Sequence, residues 1–240
     1  TSANNFGSVL PNAPTISFPT DTNGDHHISP IEQGAVGAST TVPVKIGLPV
    51  GVVLNDVVTI TINGVTQTHT INQVDITNGS FTINATKPAI GGTLNVAATL
   101  TDDAGHTATA TPNHVTIDPT TITINPVPVG GSTTPTITGT SNAPVGSVVN
   151  VVLQDPNGSY SITIPTKVQS DGTYSATVPA STPLHDGNYT ATATVIDTAV
   201  GDSPSANTPV TVAPNAPTVS FPSDTNGDGH ISPTEQNATG

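Results

Sequence analysis

Two stretches hold the residues best able to do chemistry: "DTNGDHHISPIE", residues 21–32, and "DTNGDGHISPTE", residues 224–235. They stand 203 positions apart (224 − 21 = 203). Counted from Asp21, oxygen-bearing side chains fall at positions 1, 3 and 5 (Asp21, Asn23, Asp25), a backbone carbonyl at 7 (His27), Ser29 at 9 and Glu32 at 12. That is the order in which a twelve-residue EF-hand-type loop wraps a cation, with the last carboxylate bidentate. Asp224, Asn226, Asp228, His230, Ser232 and Glu235 repeat the order, and the chain's two glutamates both stand at position 12. Mixed carboxylate, amide and carbonyl oxygens suit Ca²⁺ better than Mg²⁺, which demands a stricter octahedron. Ile28 and Ile231 occupy position 8, where an apolar side chain anchors such a loop. The rings of His27 and His230 are expected to be incidental, and His26 and His27, being adjacent, point poorly for a shared transition metal.

The same letters support a plainer reading. Ser29-Pro30-Ile31-Glu32 is also a capping box with Pro at the first helical position, so an Asn/Gly turn followed by a helix start accounts for it. The two readings are compatible, because a helix starting there returns Glu32 to the loop. Position 6 separates the copies: Gly229 suits a sharp turn at positive φ, whereas His26 is strained there by about 1 kcal/mol. The first loop is therefore expected to bind up to about tenfold more weakly.

Composition limits what else the chain can do. Among 240 residues only 8% are charged and 3% aromatic, with a net charge of −13. Lys45, Lys87 and Lys167 are the only basic residues besides histidine, so nothing could neutralise nucleic-acid phosphates. Without Cys there are no disulfides, thiol nucleophiles or thiolate zinc sites. No apolar run reaches membrane-spanning length, and residues 1–20 carry no basic-then-apolar leader, so an exported protein would contain this chain as an internal piece. No nucleophile stands with a plausible base, and no carboxylate pair outside the loops suggests acid–base work. An enzyme is not expected.

The decapeptides belong to a longer repeat. "SANNFGSVLPNAPTISFP" (2–19) aligns with "SANTPVTVAPNAPTVSFP" (205–222), and most aligned positions are identical through Gln33 and Gln236, which marks a tandem array. Within the period, alternating runs at 40–48, 56–71, 80–85, 93–100 and 106–117 read as strands of one all-β unit. Asn63-Gly64 supplies the two-residue hairpin. Runs at 134–141, 147–154, 160–165, 173–179, 188–197 and 207–212 read as a second unit. Spacings near ten residues with period-two alternation predict tandem antiparallel β-sandwiches, an all-β chain to which the two EF-hand-like calcium loops are added. The expected organisation is 1–11, the last strand of a preceding repeat; 12–118, sandwich A with loop 21–32; 119–213, sandwich B; and 214–240, the start of the next repeat with loop 224–235.

Residues 134–212, and most specifically Leu184, Asp186, Gly187 and Tyr189 in an "L-x-D-G-x-Y" stretch, closely resemble the bacterial immunoglobulin-like domains strung in tandem in giant repetitive calcium-binding surface adhesins and biofilm-associated proteins. The first unit, with "VPVKIGLPVGVVLNDVVTITINGV" and "GGTLNVAATLTDDAGHTATA", looks like a related adhesin type. The resemblance implies a calcium-stiffened spacer of a large adhesin at the bacterial cell surface or secreted, serving biofilm formation or attachment. Its partners would be neighbouring repeats, with a host or matrix ligand bound elsewhere in the full protein, and the segment would be a monomeric rod without membrane insertion. It also implies that Asp102, Asp103, Asp118 and Asp197, at strand ends where domains meet, can ligate calcium between modules; ordinary turn residues are the competing reading. The alternative function is a carbohydrate- or protein-binding module, for which Tyr160, Tyr174 and Tyr189 are candidate platform residues as well as core or corner residues.

Overall fold

The computed structural model describes residues 10–35, 39–197, 203–214, 219 and 224–236. The chain is all-β and overwhelmingly antiparallel, with two immunoglobulin-like sandwiches in tandem. The first comprises β1 (Thr15–Ser17), β2 (His27–Ile28), α1 (Pro30–Ala35), β3 (Thr41–Gly47), β4 (Val57–Ile62), β5 (Val65–Thr70), α2 (Gln73–Asn78), β6 (Ser80–Thr86), β7 (Thr93–Thr101), β8 (Thr107–Thr109) and β9 (Asn113–Ile117). One sheet has the order β1-β3-β6; the facing one runs β2-β9-β7-β4-β5, with β8 also on β7.

Period-two alternation sends one face of each strand inward. Val42, Val44 and Ile46 of β3 meet Val58 and Ile60 of β4 and Leu94, Val96, Ala98 and Leu100 of β7 in one core. Each fully buried Val, Leu or Ile is worth about 1.5–3 kcal/mol relative to exposure. Outward positions are threonine-rich, and the hydroxyls pair across strands: Thr61 with Thr66 at 3.2 Å, Thr93 with Thr116 at 3.1 Å and Thr99 with Thr109 at 3.0 Å. Such pairs stabilise a sheet without spending charge, at about 0.2–1 kcal/mol each.

The second sandwich comprises β10 (Thr136–Thr140), β11 (Val148–Gln154), β12 (Ser161–Lys167), β13 (Thr173–Thr177), β14 (Gly187–Ile196) and β15 (Ser205–Val212). The pair β10-β13 faces the sheet β12-β11-β14-β15. Its separate core gathers Ile137, Val149, Val151, Leu153, Tyr174, Leu184, Ala191, Val195 and Val210. A further helix, α3 (Pro233–Gln236), lies beyond it.

Two features depart from the sequence reading. The run 106–117 is not one strand: the register slips by one residue between the pairs Thr99–Thr109 and Val96–Asn113. Pro112, which has no N–H, stands in this bulge. Helix α2 was not expected at all, yet its signals are present. Asn72 accepts from Val74 N and Asp75 N, Asp75 at N3 completes the capping box, and Gly79 closes the helix at φ 63°.

Candidate metal centre

Loop 21–32 is organised by its own side chains. Asp21 accepts from Gly24 N at 2.8 Å through one oxygen and from His26 N at 3.1 Å through the other. Asn23 accepts from Asp25 N at 3.0 Å, and Asp25 from His27 N at 2.8 Å. These Asx turns curl the backbone around the donor side chains. His26 holds φ 66°, the left-handed conformation that the position-6 argument requires, and Gly229 holds φ 82°.

Strand β2 then ties the loop to the sandwich, running parallel to Thr116–Ile117 of β9. Thr116 N donates to the His26 carbonyl at 2.9 Å, and Asp118 N to that of Ile28 at 3.1 Å. Strand alternation turns the intervening His27 carbonyl away from β9. Ile28 is 1% exposed and belongs to the core.

Helix α1 brings Glu32 back. Its carboxylate accepts from Thr22 N at 2.9 Å and Thr22 Oγ1 at 3.0 Å through Oε1. Through Oε2 it accepts from Ser29 N at 2.9 Å and Ser29 Oγ at 2.8 Å. Ser29 Oγ in turn accepts from Glu32 N at 3.3 Å, so the expected capping box is formed. Burial alone would push the Glu32 carboxyl up, but the Ser29 and Thr22 bonds outweigh it and hold it below its ordinary 4.5.

Loop 224–235 has the same internal bonds. Asp224 takes Gly227 N and Gly229 N, each at 2.8 Å, Asn226 takes Asp228 N at 3.0 Å, and Asp228 takes His230 N at 2.8 Å. Glu235 accepts from Thr225 N at 3.0 Å and Ser232 N at 2.8 Å, and bonds from Ser232 and its neighbours pull its carboxyl down to about 2. Ile231, the counterpart of the buried Ile28, is 44% exposed.

The loops carry the carboxylate, amide and carbonyl oxygens that a hard cation takes. Asp21, Asn23, Asp25, the His27 carbonyl and Glu32 would hold it in the first, and Asp224, Asn226, Asp228, the His230 carbonyl and Glu235 in the second. Among the described residues no three His, Asp or Glu side chains are gathered as a metal-holding group. The four donors on Glu32 match the roughly four lone-pair directions of a carboxylate. Bidentate ligation therefore requires at least the two rotatable hydroxyls, Thr22 and Ser29, to turn away.

The His27 and His26 rings, which the loop pattern does not use for an ion, have places in the fold. His27 Nδ1 lies 2.8 Å from Asp118 Oδ1, and this bond raises the His27 pKa above its ordinary 6.5. His26 stacks on His114 with ring centroids 5.1 Å apart. The four strand-end aspartates divide between two places. Asp102 and Asp103 lie at the end of the first sandwich opposite Asp118, as the antiparallel register of β7 and β9 requires. Asp102 accepts from Ala104 N, His106 N and the His106 ring, the bonding of a turn residue. Asp197, 2% exposed, accepts from Thr120 Oγ1 at 3.0 Å and so ties the end of β14 to the connection between the sandwiches. The carboxyl–imidazole pairs His69–Asp75 and His106–Asp102 were also missed by sequence reasoning; their partners are six and four residues apart and converge only through folding.

The tyrosines serve the fold. Tyr174 is fully buried and donates to the Thr123 carbonyl at 2.6 Å. Tyr189 donates to the His185 carbonyl at 3.1 Å, the tyrosine-corner bond that pins the start of β14.

The loop also reaches the neighbouring sandwich. Gly34 of α1 sits so close to the β10–β11 connection that a Cβ there would lie 2.6 Å from Pro144 Cγ. The helix that carries Glu32 thus lies at the joint between the two units.

Comparison with known proteins agrees with the resemblance for one unit. Residues 129–213 match the family model of the bacterial Ig-like domain. No curated protein matches the chain. Among solved structures, a Ca²⁺-stabilized adhesin that helps an Antarctic bacterium reach out and bind ice is 22% identical, with 87% of this chain and 50% of that one covered and a TM-score of 0.44. A tetra-tandem repeat from the extending region of a large adhesion protein is 24% identical, covering 83% and 49%, with a TM-score of 0.35. A 1.5-MDa bacterial ice-binding adhesin is 22% identical, covering 84% and 64%, with a TM-score of 0.42. The chain spans about half the length of the first two of these. No helix among the described residues is long and apolar enough to cross a membrane.

Proposed function

We propose that this chain is a spacer segment of a large bacterial cell-surface adhesin, and that calcium in loops 21–32 and 224–235 stiffens the string of sandwiches that carries the adhesive part away from the cell. One observation carries the reading: loop 21–32 and the helix that closes it together touch both sides of a joint. Its strand β2 pairs with the last strand of the first sandwich, its His27 meets Asp118, and its helix abuts Pro144 of the second. The 203-residue repeat and the bacterial Ig-like match over 129–213 support it as well, since a spacer needs length more than variety.

Joints between domains in one chain are by default small and mobile. A cation that binds only the ordered joint adds RT ln(1 + [Ca²⁺]/Kd) to its stability, about 2.7 kcal/mol at a hundredfold excess over Kd. The joint is then firm in a calcium-rich exterior and loose in a calcium-poor cytoplasm, which suits a protein secreted before it stiffens.

Isothermal titration calorimetry tests the ion. The account expects two saturable calcium sites in the wild-type chain and one in each of Glu32→Ala and Glu235→Ala. A wild-type chain that takes up no calcium, or variants that keep both sites, would contradict it.

A further inference from the structure

We propose that the N-terminal pole of the first sandwich is a docking surface for the C-terminal pole of a preceding sandwich of the second kind. The proposal rests on the tandem-array reading but not on calcium. At this pole the β3–β4 connection and the turn after β7 frame a groove of about 340 Å³, which Leu10 also lines. Leu10 is 64% exposed, Val50 95%, Val53 53% and Leu54 46%. Scattered exposed apolar residues need no explanation, but four in one place mark an interaction surface.

The joint inside the chain indicates which way this surface faces. The second sandwich meets the first through Pro144-Val145-Gly146, the turn between β10 and β11, where Pro144 lies against Gly34. Pro49-Val50-Gly51 follows β3 in the first sandwich in the same way, with Gly51 at φ 99° and Gly146 at φ 88°. Each unit thus turns a Pro-Val-Gly bend towards its upstream neighbour. In the first unit the connection continues through Val53 and Leu54, residues that the shorter β10–β11 connection lacks.

The repeat identifies that neighbour. Residues 2–9 align with 205–212, the span of β15, with four of the eight positions identical, so the tandem-array reading puts a sandwich of the second kind ahead of Leu10. The corresponding pole in this chain offers Val129, 72% exposed, beside Gly130, which bridges to Val212 at the end of β15. An apolar knob is therefore available for an apolar groove.

Because the chain has no cysteine, single thiols report burial directly. Val53→Cys would be placed in the 240-residue chain, and in the second copy of a tandem chain made by continuing residue 240 with residues 38–240. In the tandem chain a sandwich of the second kind precedes the labelled one. In millimolar calcium, maleimide labelling at the second-copy site should be slower by about tenfold, as for a joint closed nine-tenths of the time. Val65→Cys, at a site 73% exposed on the edge strand β5, should label equally in both chains. Equal rates at Val53→Cys, or equal slowing at both positions, would overturn the proposal. Calorimetry on the same tandem chain keeps a failure of calcium binding separate from a failure of docking.

Discussion

At Glu32 and Glu235 a single carboxylate serves the fold and the proposed ligand set together. For Glu235 the pH consequence can be signed. Its folded-state pKa of about 2 lies below the ordinary 4.5, so the stability it contributes is complete above 4.5 and is lost as pH falls towards 2. The amide resonances of Thr225 and Ser232, followed by NMR, should therefore keep their folded shifts as pH passes 4.5 and lose them only nearer 2; loss centred on 4.5 would contradict the bonding described. His26 allows a second prediction. His26→Gly removes a left-handed strain of about 1 kcal/mol and should tighten calcium binding at the first loop by up to about tenfold in calorimetry. No gain would contradict the weaker binding expected of the first loop.

Elements position these residues, and their legibility in the sequence followed how local their causes are. Hairpin β4–β5 could be read because Asn63-Gly64 alone selects the turn; both residues hold positive φ, 46° and 84°. The box at Ser29 and Glu32 was legible for the same reason, since its partners are three residues apart. Helix α2 was equally local, with Asn72, Asp75 and Gly79 as its signals, but six residues between two strands were overshadowed by the alternation on either side. Asn72→Ala should lower chain stability by about 1 kcal/mol in urea unfolding, the worth of an N-cap. What could not be read was long-range: the pairing of β2 with β9, the seat of His27 on Asp118 and the contact of Gly34 with Pro144 join residues about 90 to 110 positions apart. The tyrosine corner lies between these cases. Its L-x-D-G-x-Y signature was visible, and Tyr189→Phe should cost about 0.5–1.5 kcal/mol for the lost bond to His185. A cost near zero would show that the corner is held by packing of Leu184 alone.

At the scale of the whole molecule, two cores joined by a short connection make the joint the element that decides shape. Gly34→Ala places a methyl group against the Pro144 ring, and because neither backbone nor proline ring yields cheaply, the sandwiches should move apart. Small-angle X-ray scattering should then show a broader distance distribution for this variant than for the wild type in calcium. The same method gives the most direct test of the central claim, that calcium in loop 21–32 stiffens the joint. Scattering from the wild-type chain and from Glu32→Ala would be compared in EDTA and in millimolar calcium. The account predicts that calcium narrows the wild-type distribution to a single extended form and leaves that of Glu32→Ala broad. Identical profiles in EDTA and calcium for the wild-type chain, with calcium bound, would contradict it.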